Sequence, residues 1–204
     1  MSGPELVALD VGDPPERWAA LGFEVRDGEV GLGGVRLHLG ARGKGIVGWS
    51  LAGVLEGAAL DGLTTSFAAA CAGEAAPTHP NGAVGLDHVV VVTPDFERTS
   101  AALRDAGLPL RRVREVEPAG FRQGFRRLGP AILELVEARQ APPGPARFWG
   151  LVVVVSDLDA LAERLGEHLG PVKPAVQPGR RIATLRASAG LTPAVAFMDP
   201  EADA

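Results

Sequence analysis

The sequence predicts an α+β fold in which paired β-α-β-β-β modules form a cupped mixed sheet, and three observations carry that prediction. Residues 84–140 and 147–204 repeat one another in the order of their apolar runs, turns and amphipathic stretches. Each copy opens on a dense apolar run, Leu86-Asp-His88-Val-Val-Val-Val92 and Trp149-Gly-Leu-Val-Val-Val-Val155, too short for anything but a buried strand. Each run then meets a helix-start signal and an amphipathic stretch, so a helix crosses over before the remaining strands.

Taken in chain order, a looser copy of the unit comes first, over residues 1–53. Glu5–Val11 reads as a strand and Pro14–Leu21 as a short helix closed by Gly22; strands follow at Phe23–Val30, Val35–Leu39 and Ile46–Leu51. The run Gly28-Glu-Val-Gly-Leu-Gly-Gly34 has no helix after it, so it reads as a hairpin turn and not as a phosphate loop. Residues 54–83, rich in Ala, Gly, Pro and Thr, read as a linker, and His79-Pro-Asn-Gly82 as a turn ahead of the next unit. The main domain is then residues 84–204.

In the second unit, Thr93-Pro94-Asp95 caps a helix over Phe96–Ala106 that Gly107 closes, and Leu110–Val116, Phe121–Leu128 and Ala131–Glu137 supply the strands. In the third, Ser156-Asp157 caps Leu158–His168, Gly170 closes it, and Val172–Val176, Arg181–Ala187 and Ala194–Met198 follow. One such unit buries a single sheet face under its helix, so units pair around a shared concave surface. The second and third pair with each other. The odd first unit either covers an edge of the main domain or joins its copy in a second chain, and a homodimer is the expectation.

Composition excludes several partners. In 204 residues, Lys+Arg 20 against Asp+Glu 25 gives a net charge of -5, which offers no general attraction to nucleic acid or an anionic membrane. Cys71 is the one cysteine and can form no disulfide within the chain; no apolar run approaches the ~20 residues of a membrane span. The start, Met1-Ser-Gly-Pro-Glu5, lacks the basic and apolar regions of a secretory signal, so a cytoplasmic location is expected.

The hairpin of the second unit folds on paper if Gly129-Pro130 is its turn. Pairing Leu128 with Ala131 then sets Arg127 opposite Ile132, Phe125 opposite Glu134 and Gln123 opposite Val136, all on one face, with Leu133 and Leu135 on the helix side. A bulge would instead turn Arg126 and Arg122 inward. Otherwise Arg111, Arg112, Arg114, Arg122 and Arg126 read as a solvated strand face. Arg122–Arg127 aligns without gaps on Arg181–Arg186, so Arg127 and Arg186 are expected to form a clamp for a carboxylate, phosphonate or enolate. Glu134 and His88 are the acid–base candidates.

Units that begin Gly85-Leu-Asp-His88-Val-Val-Val-Val and end Ile132-Leu-Glu134-Leu resemble the vicinal oxygen chelate superfamily, which includes glyoxalases, bleomycin and fosfomycin resistance proteins and extradiol dioxygenases. The resemblance implies a glyoxalase-like fold and makes His88 and Glu134 two ligands of a divalent ion (Zn, Mn, Ni or Fe) between the modules. The second module departs from the pattern: aligning the Val runs puts Leu151 at the position of His88, and aligning the last strands puts Ala196 at that of Glu134. An extradiol dioxygenase triad fails on its missing second His.

The expected function is therefore that of a small-molecule cavity, for a ligand carrying negative charge, holding His88, Gln123, Phe125, Arg127, Glu134 and Arg186. An enzyme of this kind is a lyase or isomerase acting beside a carbonyl, with Glu134 moving the proton. The alternatives are a resistance-type protein that sequesters its ligand, and a structural protein whose cavity is filled by side chains.

Overall fold

Two mixed sheets organise the chain. The computed structural model describes residues 3–69 and 77–201, so Cys71 lies outside the described residues. The first sheet has strand order β2-β3-β1-β4-β5, from β1 (Glu5–Val11), β2 (Glu29–Leu32), β3 (Val35–Leu39), β4 (Ile46–Ala52) and β5 (Thr65–Phe67). The second has order β11-β12-β13-β10-β6-β9-β8-β7. Its strands are β6 (Ala83–Thr93), β7 (Arg112–Val116), β8 (Phe121–Leu128), β9 (Ala131–Glu137), β10 (Arg147–Val155), β11 (Lys173–Pro174), β12 (Arg181–Thr184) and β13 (Ala194–Met198). The helices are α1 (Pro15–Ala20), α2 (Phe96–Asp105) and α3 (Leu158–Leu165).

The second sheet is the expected module pair. β6 lies parallel to β9, β10 parallel to β13, and the two opening strands β6 and β10 meet antiparallel at the centre. The helix starts also follow the sequence: Asp95 accepts from the Arg98 N–H, and Asp157 from those of Asp159 and Ala160. α3 stops early because Gly166 takes a positive φ of 51°, which ends the helix four residues before the expected Gly170. The third module is the thinner one: of the stretches expected at Val172–Val176 and Arg181–Ala187, only β11 and β12 pair.

The N-terminal half differs from the expected single unit in its pairing. β1 is parallel to β3 and antiparallel to β4, and β4 is parallel to β5. These are the relations of β6 to β9, of β6 to β10, and of β10 to β13. Thus β4 does not close the first unit; it opens a rudimentary fourth, whose partner β5 comes from the segment read as a linker. The stretch Phe23–Val30 yields only the start of β2, because Asp27 (φ 51°) and Gly28 (φ 80°) turn the chain between Arg26 and Glu29.

One apolar cluster joins both sheets and the helices, with Leu9, Trp18, Leu37 and Trp49 in the same core as Val89, Leu133, Val153 and Phe197. Phe23 stacks on Phe197 at 6.2 Å, and Trp49 meets Phe148 edge-on at 5.3 Å. Polar ties fix the join. The Glu24 N–H donates to His79 Nδ1 (2.9 Å) while His79 Nε2 donates to the Gly31 carbonyl (2.7 Å), and the buried Asp13 accepts from Thr192. The face that motivated an intermolecular partner for the first unit is therefore covered within the chain.

Candidate functional site

The face of the second sheet turned away from the helices carries a line of polar groups. β8 and β9 pair as the turn at Gly129 (φ 62°) dictates, with Leu128 opposite Ala131, Arg127 opposite Ile132, Phe125 opposite Glu134 and Gln123 opposite Val136. No bulge intervenes there. Gly124 and Leu133 consequently face the helices, and Arg122 turns to that side, clamped by Glu137 and Glu97 with its guanidinium 4.5 Å over the Phe96 ring.

A bulge in β6 does shape the site. Val152 of β10 pairs with His88 and Val153 with Leu86, so Asp87 is one residue too many. Leu86 stays in the core, whereas Asp87 and His88 emerge together on the polar face. Asp87 Oδ2 lies 2.7 Å from His88 Nδ1, and Asp87 Oδ1 lies 2.7 Å from Arg180 Nη1. His88 Nε2 is 3.3 Å from Glu134 Oε2. Gln123 Nε2 donates to Glu134 Oε1 at 2.6 Å, and Arg114 Nε donates to Gln123 Oε1 at 2.8 Å, with the Arg114 guanidinium 5.3 Å over Phe125. The result is one connected row, Arg180–Asp87–His88–Glu134–Gln123–Arg114.

The two carboxylates of the row are tuned in opposite directions. Burial pushes Glu134 above the ordinary glutamate value and outweighs the attraction of His88 and Arg114. Burial also acts to raise Asp87, but the hydrogen bonds and charges of His88 and Arg180 prevail and hold it low. An ionised Asp87 keeps a proton on His88 Nδ1.

Beside Asp87 the face opens into a cavity of about 240 Å³ bordered by Arg127, Ile132, Val154, Arg180 and Glu201. Arg180 is 5% exposed; its Nε donates to the Asp199 carbonyl (2.7 Å), while its Nη2 is buried with no hydrogen-bond partner among the described residues. Arg127 is exposed, and the one bond its guanidinium makes here is long, to the Gly129 carbonyl at 3.5 Å. On the neighbouring strands of the same sheet Val152, Ala196, Met198 and Ile182 pack together as a small apolar cluster.

The structure thus brings His88, Glu134, Gln123 and Phe125 together and sets Arg127 at the cavity beside them. Arg186 is elsewhere: β12 ends at Thr184, and Arg186 lines a separate cleft, so the expected Arg127–Arg186 clamp does not form. The arginine that shares a cavity with Arg127 is Arg180. Arg114 belongs to the polar row, and Arg122 and Arg126 pack on the helix side, so a solvated strand face describes only Arg111 and Arg112. The repeat alignment also slips by one residue, since Leu151 pairs with Val89 and faces the core while Val152 is the residue beside His88.

These residues do not fit a divalent ion. Among the described residues no three His, Cys, Asp or Glu side chains converge as a metal-holding group. Across the ladder from His88 the next two strands carry Val152 and Ala196, which offer no further donors, and the two guanidiniums in the row oppose an added cation.

Paired β-α-β-β-β modules meeting at two antiparallel central strands, with a polar row on one face, define the class of this α+β protein. Residues 85–201 match the model of the Glyoxalase/Bleomycin resistance protein/Dioxygenase superfamily, and the chain belongs to that superfamily. No curated protein matches the chain. Among solved structures it is similar to methylmalonyl-CoA epimerase from Mycobacterium tuberculosis, at 21% identity and a TM-score of 0.49 over 59% of this chain and 91% of that one. Streptomyces coelicolor methylmalonyl-CoA epimerase in complex with 2-nitronate-propionyl-CoA matches at 18% identity and a TM-score of 0.46 over 57% and 97%. A hypothetical protein from Bacillus halodurans C-125 matches at 15% and 0.47 over 58% and 96%.

Proposed function

We propose that the polar face binds a small carboxylate-bearing molecule and that Glu134 moves a proton on a carbon beside its carbonyl. The observation that carries this reading is the orphaned Nη2 of Arg180, a buried donor on a residue that borders the same cavity as Arg127. An unpaired buried guanidinium N–H is costly unless an acceptor arrives, and a single carboxylate oxygen would supply it. The volume of about 240 Å³ lies below the ~300 Å³ at which drug-sized sites begin, which suits a few-atom acid.

From there Glu134 is one row further along the face, its carboxylate turned by Gln123 and backed by His88. In the step it catalyses, the C–H bond breaks, its proton passes to the Glu134 carboxylate and the electron pair moves onto the carbonyl oxygen. The His88 side chain and the guanidiniums provide the positive field for that oxygen. Return of the proton to another face or carbon completes an isomerisation, and expulsion of a leaving group completes a lyase reaction. Both are redox-neutral.

The apolar cluster of Val152, Ala196 and Met198 beside His88 favours a second reading, a protein that binds and holds its ligand without chemistry. Titration calorimetry with pyruvate on the wild type, Glu134→Gln and Arg127→Ala separates the two. Binding kept in Glu134→Gln with turnover lost supports the enzyme; binding lost in Arg127→Ala with no turnover in any form supports sequestration; no binding in any form overturns both.

A further inference from the structure

At the end of β10 opposite the Arg180 cavity, the sequence Arg147-Phe148-Trp149 borders a cleft of about 570 Å³ that also takes in Lys44 at the approach to β4 and Arg186 beyond β12. Its lining carries three cations and no Asp or Glu. Neither Lys44 nor Arg186 has a carboxylate at ion-pair distance among the described residues. A cleft lined only by cations concentrates anions.

Trp149 is aimed into this cleft by a second bulge. Phe148 pairs with Val91 and Gly150 with the adjacent Val90, so Trp149 has no partner across the ladder. Its ring is 53% exposed, whereas Trp18 and Trp49 are each 0% exposed. The arrangement is held from below: a Cβ on Gly150 would sit 2.1 Å from the Ala194 carbonyl oxygen, so only glycine lets β10 and β13 run this close beside the bulge. Arg147 lies 5.9 Å from the Trp149 ring centroid, which puts cation and π-face side by side.

We infer that this cleft is a second small-molecule site, distinct from the Glu134 face, for an aromatic ring carrying a phosphate or carboxylate. The ring stacks on Trp149 and the anion is held by Lys44, Arg147 and Arg186. The cleft volume lies within the roughly 300–1,000 Å³ of small-ligand sites.

Fluorescence tests this directly, because Trp149 is the one tryptophan a ligand can reach without unfolding the protein. Adenosine monophosphate and phenyl phosphate serve as probes, with adenosine and inorganic phosphate as the separated halves. The expected result is saturable quenching by the aromatic phosphates, at least about tenfold weaker for adenosine, and at least about tenfold weaker in Lys44→Ala/Arg186→Ala, whose side chains are exposed. Trp149→Phe retains the fold and loses the signal. Absence of saturable quenching by both aromatic phosphates, or quenching by them that the Lys44→Ala/Arg186→Ala protein leaves unchanged, overturns the inference.

Discussion

Arg180 Nη1 lies 2.7 Å from Asp87 Oδ1, and the Nη2 of the same guanidinium is buried with no partner among the described residues. One arm of the fork holds the carboxylate that orients His88, and the other has no acceptor among the described residues. Arg180→Met removes the guanidinium and leaves the half-buried Asp87 with His88 alone, so it is expected to lower stability by about 1–3 kcal/mol. Arg180→Lys keeps the charge but not the fork; it is expected to fold and to weaken binding of a small carboxylate about tenfold or more. Thermal melts and calorimetry on the two variants check both statements.

Acid should loosen the join between the helix face and the N-terminal half. Burial acts to raise Asp61, but the hydrogen bonds of Arg98 and Thr99 and the Arg98 charge outweigh it, so its folded value lies below the ordinary aspartate value. Stability from this group is therefore present above the unfolded aspartate value and is lost as pH falls through the lower, folded one. Asp61→Asn is expected to melt lower than the wild type near neutrality and to converge with it in strong acid; parallel melts across pH test this.

The N-terminal half is part of the fold. Its Trp18, Leu37 and Trp49 share the core of the main domain, and His79 and Asp13 stitch the join. Deleting residues 1–53 is expected to expose that core and give an aggregated or molten chain, not a well-folded remainder. Circular dichroism and sedimentation on the truncated chain read the outcome.

Metal content is predicted to be low. Purified protein is expected to carry well under one equivalent of Zn, Mn, Ni or Fe, and chelator treatment to leave ligand binding unchanged. One equivalent that disappears in His88→Ala/Glu134→Ala would mean that a third ligand completes the site.

Much of this was legible in the residues, for identifiable reasons. The β8–β9 register follows from a tight Gly129-Pro130 turn and a clear period of two, which place Gln123, Phe125, Arg127 and Glu134 on one face. The uniform Val runs carry no such alternation, so they align equally well one residue out of step, and the alignment that sets Leu151 at the position of His88 misses that Leu151 faces the core. Asp87 enters the site only through a bulge, which leaves no mark in hydrophobic pattern. Arg180 comes from an irregular connection after β11, where neither period applies, and its role appears only when the fold sets it against Asp87. β5 is three residues long, too short to stand out from an Ala- and Gly-rich segment.

The central claim is that Glu134 exchanges a proton with carbon, and deuterium wash-in reads that event without knowledge of the natural substrate. Pyruvate and 2-oxobutyrate, small carboxylates with acidic C–H bonds beside a carbonyl, would be incubated with protein in deuterated buffer and followed by proton NMR. The account predicts accelerated exchange by the wild type, reduced about 10²–10⁴-fold in Glu134→Gln while calorimetric binding persists. Binding of both acids with no accelerated exchange, or exchange equally fast in Glu134→Gln, would contradict it.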